Sequence, residues 1–340
     1  MPVKLKDIAE HLNISVSTVS RVLTNKNRVD EETRKKVLKA LEDFQYQPNE
    51  VARSLKSKIT KAIGIIIPDI SNTYFSTIIK GVESVARQNG YYIILCNSDE
   101  DKKREEEYTS FLLQKQISGL VIATVSGGTG FYEKYKKAGI PVVFVDNLPK
   151  MDNNFNFVVI DNVKASYDLT NHLIKLGHEK IGIINGSLEE STAYERLKGW
   201  EKALLEHKIP IRKKWSGLGD FKQESGYKIM QGFLKQKEVP TAVFVTNNLM
   251  TYGAMRAIKD AGLRIPEDIA VVCFDAIDFT GLVKPQITSV IQPAEDIGRI
   301  SGEIIIRKIQ DNKIKIFENV TLEPQLLIKE SCGYLLKNKK

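Results

Sequence analysis

The sequence predicts a small all-α N-terminal domain followed by a larger α/β body made of two doubly wound parallel sheets. Three short helical patterns follow one another in the first 60 residues. From residue 62 onward, short runs rich in β-branched residues alternate with intervals long enough for a helix. Such runs are typical of parallel strands that are buried on both faces and joined by helices. A chain of 340 residues has room for two or three domains of this kind.

The first two helical patterns form a helix-turn-helix arrangement. An apolar stripe with helical spacing marks the first helix: Leu5, Ile8, Ala9 and Leu12. The small side chain of Ala9 allows a second helix to cross closely. Ser15 is a good N-cap for that second helix, because its hydroxyl can accept a hydrogen bond from an unpaired amide of the first turn.

The second helix separates an apolar face from a polar one. Its inward residues are predicted to be Val16, Val19, Val22 and Leu23. Its outward residues are Ser17, Thr18, Ser20 and Arg21. Hydroxyls and a guanidinium can hydrogen-bond to base edges and phosphates in a DNA major groove. The pattern indicates a DNA-reading helix, and the alternative is a three-helix bundle that merely caps the protein.

The third helix is predicted to begin after Asp30, which caps it, with Glu31 and Glu32 suiting its positive N-terminal dipole. Its buried face is predicted to contain Val37, Leu38, Leu41 and Phe44. The charge of this region supports a polyanionic partner: residues 1–61 hold 13 Lys and Arg against 8 Asp and Glu. Residues 62–334 hold 34 of each sign, so the basic part of the chain is a small unit on a neutral body.

Residues 48–61 are predicted to be a hinge helix and linker. Pro48 and Asn49 begin a helix that would extend only to about Lys56, too short to be stable alone in water. The segment is either a plain interdomain linker or one that folds against DNA. In the second case Leu55 would be an apolar wedge between base steps of the minor groove.

The composition argues against membrane, secreted and metal-binding proteins. The longest apolar runs, such as residues 63–68, fall far short of the ~20 residues of a spanning helix. The N-terminus lacks the apolar region of a signal peptide. The three cysteines are far apart and show no CxxC spacing, so neither a disulfide framework nor a zinc site is indicated. We therefore expect a soluble, cytoplasmic, nucleoid-associated protein without metal, cofactor or membrane partner.

No catalytic residue is predicted. The sequence contains no GxGxxG after a strand, no P-loop and no HExxH motif. His178 belongs to a turn, and His11, His172 and His207 lie in helical contexts without a Ser or Cys partner that the sequence identifies. A secreted sugar-binding protein would fit the body alone. The basic helix-turn-helix and the absent signal peptide argue against it.

Eight strands are predicted in the body, at residues 63–69, 91–97, 119–124, 141–146, 158–161, 181–186, 241–247 and 269–275. The similarity of AIGIIIPD (62–69) to KIGIING (180–186) indicates two related halves. Nearly every run closes on a polar residue: Asp69, Asn97, Thr124, Asp146, Asp161, Asn185, Asn247 and Asp275. Any one of them could simply cap a helix. Together they predict a ligand cleft, because ligands of open α/β sheets bind beyond the carboxyl ends of the strands.

Ordered motifs run through the whole chain. The N-terminal ones are KDIA (6–9), ISVSTVSRVL (14–23), VDEETRKKV (29–37) and YQPNEVARSL (46–55). Those of the body are PDISNTYF (68–75), GVESVARQNGY (81–91), LCNSDED (95–101), HLIKLGHEKIGIING (172–186), residues 240–275 and ITSVIQPAEDIG (287–298). Together they resemble the LacI/GalR family of bacterial transcription regulators. The resemblance implies a helix-turn-helix domain at 1–47, a hinge at 48–61, and a periplasmic-binding-protein-like effector-binding and dimerisation domain at 62–340.

The resemblance also implies site residues. The DNA contacts would come from Ser15, Val16, Ser17, Thr18, Ser20, Arg21, Asn25, Arg53, Ser54 and Leu55. The effector contacts would come from Tyr74, Phe75, Asp146, Arg196, Phe221, Asn247 and Asp275. Three departures from the family pattern stand out. Thr24 replaces a common Asn, Asn248 a usual Asp, and Cys273 a usual Gly.

The expected function is that of a repressor that binds a near-palindromic operator as a homodimer and responds to a small effector. Arg196, Asn247 and Asp275 can supply the paired donors and acceptors that sugar hydroxyls need, and an aromatic ring can pack on a sugar face. A sugar or sugar derivative is therefore expected. A purine or nucleoside is the alternative, because it would also use a stacking aromatic. The acidic pair Glu189 and Glu190 does not favour a highly anionic ligand.

Overall fold

The computed structural model describes residues 3–23, 29–46, 60–125, 130–150, 154–275, 284–311 and 316–334. The chain divides into two compact units, residues 1–59 and residues 60–340. The described helices of the first unit are α1 (Leu5–His11), α2 (Val16–Leu23) and α3 (Glu31–Asp43).

The small core of the first unit confirms the helix-turn-helix pattern. Buried apolar side chains from all three helices meet there: Ile8, Ala9, Val19, Val22, Val37, Ala40 and Leu41. Both predicted caps are present. The Ser15 hydroxyl oxygen accepts a hydrogen bond from the Thr18 amide at 3.1 Å, and Asp30 Oδ1 accepts one from the Thr33 amide at 2.8 Å.

Two residues predicted to face inward do not. Val16 is 43% exposed and Leu38 is 52% exposed. The reason is the angular position of each residue on its helix, since successive residues turn by about 100°. Val16 therefore lies about 90° from the direction shared by Val19 and Val22, and Leu38 lies about 100° from Val37. Both residues are apolar and close to the buried stripe in sequence, but their side chains point away from the core.

The second unit contains two six-stranded sheets. Its strands in chain order are β1 (Ala62–Ile67), β2 (Tyr92–Asn97), β3 (Gly119–Ile122), β4 (Val142–Val145), β5 (Asn156–Ile160), β6 (Ile181–Asn185), β7 (Ser216–Leu218), β8 (Ala242–Val245), β9 (Ala270–Phe274), β10 (Thr288–Ile291), β11 (Asn319–Leu322) and β12 (Gln325–Leu327). The strand orders are β11-β5-β4-β3-β1-β2 and β12-β10-β9-β8-β6-β7. All neighbours are parallel except β10 and β12. The predicted fold class is confirmed.

The helices cover both faces of each sheet. In chain order they are α4 (Thr73–Gln88), α5 (Lys102–Gln114), α6 (Gly130–Ala138), α7 (Asn162–Lys175), α8 (Ser191–Glu206), α9 (Gln223–Leu234), α10 (Asn248–Asp260) and α11 (Ala294–Gln310). We call the first sheet with α4, α5, α6 and α11 the first lobe, and the second sheet with α7 to α10 the second lobe. The chain crosses between the lobes after β5, after β10 and after β11.

The observed strands include all eight predicted ones and four that were not predicted. The additional strands, β7, β10, β11 and β12, have only three or four residues each. In β10 the hydroxyl residues Thr288 and Ser289 are fully buried and interrupt the apolar pattern. The Thr288 hydroxyl donates to the Lys329 carbonyl at 2.9 Å, and the Ser289 hydroxyl donates to the Cys273 carbonyl at 3.1 Å. Internal hydrogen bonds of this kind let polar residues occupy a core strand.

Close helix packing in both lobes depends on glycine. A Cβ atom on Gly298 of α11 would lie 2.1 Å from the Ile78 carbonyl oxygen of α4. A Cβ atom on Gly253 of α10 would lie 1.9 Å from the Gln223 carbonyl oxygen at the start of α9. In both places one helix rests directly on the backbone of another. None of the helices in the described part of the chain is long and apolar enough to cross a membrane.

Candidate functional site

The DNA-reading surface predicted on α2 is a compact polar patch. Ser17 and Arg21 are exposed, and Thr18 and Ser20 are half-buried. The hydroxyl oxygen of Ser15 lies 2.7 Å from that of Ser17 and 2.8 Å from that of Thr18. The patch therefore presents several hydroxyls and one guanidinium at the surface of a single helix, together with the exposed side chain of Val16. Four predicted DNA contacts, Asn25, Arg53, Ser54 and Leu55, lie outside the described residues.

The second unit encloses a cavity of about 40 Å³ between its two lobes. Its wall includes all seven residues predicted to contact an effector: Tyr74, Phe75, Asp146, Arg196, Phe221, Asn247 and Asp275. The other lining residues are Pro68, Asn72, Glu100, Asn147, Glu190, Thr192, Asn248 and Gln292. Asp146 follows β4 and Asp275 follows β9, so the cavity lies at the carboxyl ends of the strands of both sheets. The structure brings the predicted residues together, and their role as effector contacts stays a prediction.

Arg196 is the only Lys or Arg among the described lining residues, and it is 4% exposed. Its Nε donates to Asn162 Oδ1 at 2.9 Å, and its Nη1 donates to the Thr246 carbonyl at 2.6 Å. The guanidinium carbon lies 4.1 Å from the centre of the Phe274 ring. No carboxylate of the described residues lies within ion-pair distance of this guanidinium. Arg196 is thus held by a side chain, a carbonyl and a ring, and none of these described contacts uses its Nη2 atom.

Asp275, Gln292 and Tyr74 form a hydrogen-bonded chain along one wall. The Gln292 backbone amide donates to Asp275 Oδ1 at 3.0 Å, and Gln292 Nε2 donates to Asp275 Oδ2 at 2.6 Å. The Tyr74 hydroxyl donates to Gln292 Oε1 at 3.2 Å. Burial raises the pKa of Asp275 to about 6, although the hydrogen bonds from Gln292 oppose the shift. Burial also raises the pKa of the Tyr74 hydroxyl far above its usual range.

Phe221 and Asn247 form the opposite wall. The Phe221 ring lies against Gly186, where an added Cβ atom would come within 2.0 Å of the ring. Asn247 is the N-cap of α10: its Oδ1 accepts from the Met250 amide at 3.0 Å, and its Nδ2 donates to the Phe221 carbonyl at 2.8 Å. Asn247 therefore fixes the position of Phe221 and uses much of its own hydrogen-bonding capacity in doing so.

Hydrogen bonds join the lobes around the cavity. Asn147 of the first lobe accepts from the amide and hydroxyl of Thr192 at 3.1 and 2.8 Å, at the start of α8. Asn248 Nδ2 donates to Asn72 Oδ1 at 2.9 Å. An Asp at position 248, usual in the family, has no amide donor for this contact. The departure at Asn248 thus supplies a hydrogen bond between the lobes.

The lining carboxyl groups have unusual acidities. Burial raises the pKa of Glu100 to about 8, and the nearby charges of Asp146 and Asp69 add to the effect. Burial and the charge of Glu100 raise the pKa of Glu190 to about 9. Asn147 Nδ2 donates to Glu190 Oε2 at 2.6 Å, which opposes that shift. Both carboxyl groups therefore keep a proton to a higher pH than an exposed glutamate, because burial and nearby carboxylates disfavour their charged forms.

Several lining residues were missed by the sequence reasoning. Gln292 follows β10 as Asp275 follows β9, so recognition of β10 as a strand would have identified it. Asn147 directly follows the predicted Asp146, and it could have been found by extending the strand-end rule by one residue. The histidine prediction also needs correction, because His172 Nε2 lies 3.3 Å from Cys332 Sγ. That thiol is fully buried in the core, so the contact is structural.

Comparison with known proteins gives two family matches. Residues 4–49 match the family described as bacterial regulatory proteins, lacI family. Residues 60–330 match the family described as periplasmic binding proteins and sugar binding domain of LacI family. The second match alone spans more than half of the chain.

Three known proteins illustrate the similarity. The catabolite control protein A of Priestia megaterium is 36% identical over 308 residues, which cover 90% of this chain and 92% of that protein. The HTH-type transcriptional repressor PurR of Photobacterium profundum is 34% identical and covers 96% of this chain and 98% of its own. The crystal structure of the lac repressor dimer bound to operator and the anti-inducer ONPF has a TM-score of 0.84 at 28% identity, covering 98% and 99% of the two chains.

Proposed function

The chain belongs to the LacI family of bacterial regulatory proteins, and from this premise we propose what its cleft and its α2 surface do. It is a DNA-binding transcription regulator and not an enzyme. We propose that it acts in the cytoplasm as a homodimeric repressor on a near-palindromic operator. A sugar or sugar derivative that binds between the two lobes would change its affinity for that operator.

The observation that carries the proposal is the juxtaposition of Arg196 and Asp275 in one cavity with Phe221. A guanidinium and a carboxylate offer strong donors and acceptors to neighbouring hydroxyls, and an aromatic ring packs on the apolar face of a sugar. The match of residues 60–330 to a sugar-binding domain supports the same ligand class.

The size of the cavity supports a role for lobe movement. Ligand pockets usually enclose roughly 300–1,000 Å³, whereas this cavity has about 40 Å³. Separation of the lobes would make room for a sugar, and the sugar would favour whichever arrangement offers it the better contacts. Effector binding and operator binding are then coupled through one equilibrium between lobe arrangements.

The DNA-binding part of the proposal concerns both α2 and the hinge. Ser17, Thr18 and Arg21 would read the major groove, and residues 48–61 would bind the minor groove through Leu55. The exposed polar patch of α2 supports the first contact. The short length and apolar Leu55 of the second segment support a fold that forms only on DNA.

The test is to replace Arg196 by Ala. Thermal-shift screening of sugars, sugar phosphates and nucleobases first identifies a ligand of the full-length protein. We expect Arg196→Ala to retain operator binding and to lose effector affinity, by roughly 1.5–3 kcal/mol for each charged hydrogen bond removed. Arg212→Ala is the control, because Arg212 lies in the same lobe but pairs with Glu238 at 2.7 Å outside the cavity. Unchanged effector affinity in a folded Arg196→Ala protein would contradict the proposal.

A purine or nucleoside effector is the second candidate, supported by the similarity to PurR and by the buried aromatic rings of Tyr74 and Phe221. The same screen decides between the two classes. If a nucleobase stabilises the protein and no sugar does, the proposed effector becomes a purine or nucleoside. The proposed regulatory function does not change.

A further inference from the structure

We propose that the effector carries an ammonium group in addition to its hydroxyls, and that this group binds between the carboxylates of Glu100 and Glu190. An amino sugar is the ligand class that combines the two. The inference rests on the proposed function, since it specifies the ligand of the same cavity.

The balance of charge in the cavity is the first argument. Among the described residues, four carboxyl groups line it, those of Glu100, Asp146, Glu190 and Asp275, against the single guanidinium of Arg196. One or two carboxylates can accept hydrogen bonds from the hydroxyls of a neutral sugar, but burying four of them costs free energy that amide and hydroxyl acceptors would avoid. An excess of buried carboxylates is stabilised only by a cation or by protonation.

The cations near the cavity are bound elsewhere. Arg196 donates to Asn162 and to the Thr246 carbonyl. Lys222 Nζ pairs with Asp99 Oδ1 at 3.0 Å, and Lys102 pairs with Glu189. The described residues therefore supply no cation that binds directly to Glu100 or Glu190.

Glu100 and Glu190 approach the cavity from opposite lobes. Glu100 follows β2 of the first lobe, and its Oε2 is shielded from solvent without any hydrogen-bond partner. Glu190 precedes α8 of the second lobe and is 8% exposed, and only its Oε2 accepts a hydrogen bond, from Asn147. The charge of Glu100 raises the pKa of Glu190. An unpaired buried oxygen costs free energy that a ligand donor would recover.

A metal ion is a poorer occupant than an ammonium. Within the ranges that the structure describes, no group of three or more His, Cys, Asp or Glu side chains is arranged to hold a metal ion. An ammonium has three N–H donors and needs only two carboxylates and a hydroxyl or carbonyl around it. Glu100 and Glu190 come from different lobes and both line the cavity, so together they can supply those two carboxylates.

The experiment compares matched sugars on the full-length protein. Glucosamine, galactosamine and mannosamine are titrated by calorimetry beside glucose, galactose and mannose and beside the three N-acetyl derivatives. We expect at least one amino sugar to bind roughly tenfold or more tightly than both its neutral parent and its acetylated form. Glu100→Gln and Glu190→Gln should each remove most of that preference. Glu189→Gln is the matched control, since Glu189 is exposed and adjoins Glu190, and it should keep the preference.

The outcomes are separable from those of the proposed function. A neutral or acetylated sugar that binds as tightly as its amine overturns the ammonium inference and leaves the sugar-responsive regulator intact. The ammonium inference is also overturned if the Glu100→Gln/Glu190→Gln double variant keeps the preference for the amino sugar, provided that thermal melting shows that this variant is folded. Failure of all amino sugars at millimolar concentration also overturns the inference, and failure of every sugar removes the proposed effector class as well. Operator binding, measured by fluorescence anisotropy, reports separately on the DNA-binding function.

Discussion

Five residues around the cleft adopt a left-handed backbone conformation without being glycine: Asp99, Glu100, Asp146, Phe221 and Asp275. The conformation costs on the order of 1–3 kcal/mol per residue and persists only where the surroundings enforce it. Four other non-glycine residues share it, and each of these follows a helix end, where it is common: Asn13, Gln45, Gln116 and Lys208. Strain outside helix ends is thus confined, among the described residues, to the loops that surround the cavity. Four of the five residues, all except Asp99, line the cavity.

Arg21 is the residue of α2 whose loss should affect DNA recognition most. Arg21→Ala should lower operator affinity by about 1–3 kcal/mol and relax the preference at one base pair in each half-site, because a guanidinium can bind a base edge in two places. Fluorescence anisotropy with operators substituted at each position measures both effects. The matched control is Lys36→Ala, which removes one positive charge from the same unit but from α3, where Lys36 pairs with Glu32. If both variants lose the same operator affinity, Arg21 contributes only its positive charge and does not recognise a base.

The role of a residue could be predicted from the sequence when that role depends only on residues close to it in the chain. Caps such as Ser15 and Asp30 depend on the next three residues only, and both were predicted. Strand-end residues such as Asp146 and Asp275 follow from a pattern that is also local. Gln292 was missed because the buried hydroxyl residues Thr288 and Ser289 hide the strand that precedes it. The role of Glu100 depends on what the opposite lobe places beside it, which no local pattern contains.

At the scale of elements, the sequence predicts strands with continuous apolar runs well and short strands without such runs poorly, whether the short strand lies inside a sheet, like β10, or at its edge, like β7. Continuous apolar runs such as β1 and β8 are buried on both faces and are visible in the sequence. The edge strand β7 is Ser-Gly-Leu, with partial exposure on every residue, and no periodicity can be recognised in three residues. The contact of α9 with α10 could not be predicted either. In the sequence, Gly253 is only a residue of low helix propensity, and its packing on α9 is visible only in the structure.

Gly253 provides the test at this scale. Gly253→Ala should destabilise the second lobe by about 1–3 kcal/mol, because the new methyl group would press on the Gln223 carbonyl of α9 and force the helices apart. Gly232→Ala in α9 is the control, since no atom lies within 4 Å of its Cβ position. That change should stabilise the protein by roughly 0.5–1 kcal/mol through helix propensity. Thermal melting of both variants measures the difference, and equal midpoints would show that the helices do not depend on the glycine contact.

At the scale of the whole effector-binding unit, the buried carboxyls make stability depend on pH. The pKa of Glu100 is about 8 and that of Glu190 about 9 in the closed cleft, whereas both groups ionise near 4.5 when the chain is unfolded. The folded state therefore binds more protons than the unfolded state between those values. The stabilisation is complete below about pH 4.5 and is lost as the pH rises through about 8 to 9.

We therefore expect the ligand-free protein to melt at a lower temperature at about pH 9 than at about pH 6. The groups that face the two glutamates set the size of the effect: Asp69, Asp146, Asp220, Asn147, Arg196 and Lys222. The Glu100→Gln/Glu190→Gln double variant cannot ionise at these positions, so its melting temperature should vary less over the same range. A wild-type midpoint that rises with pH across this window would show that the glutamates are ionised in the closed cleft.

The three crossings between the lobes have a consequence for synthesis of the chain on the ribosome. The helix α11 completes the first lobe by packing on β3, β4, β5 and α4, but it follows β10 in the chain. During synthesis, the face of the first sheet that α11 covers therefore stays exposed until β10 of the second lobe and then α11 have been translated. The first lobe is completed only by α11 and β11, and β12 then completes the second lobe. A premature stop codon anywhere before residue 294 consequently deprives both lobes of a native partner, whichever of them it interrupts.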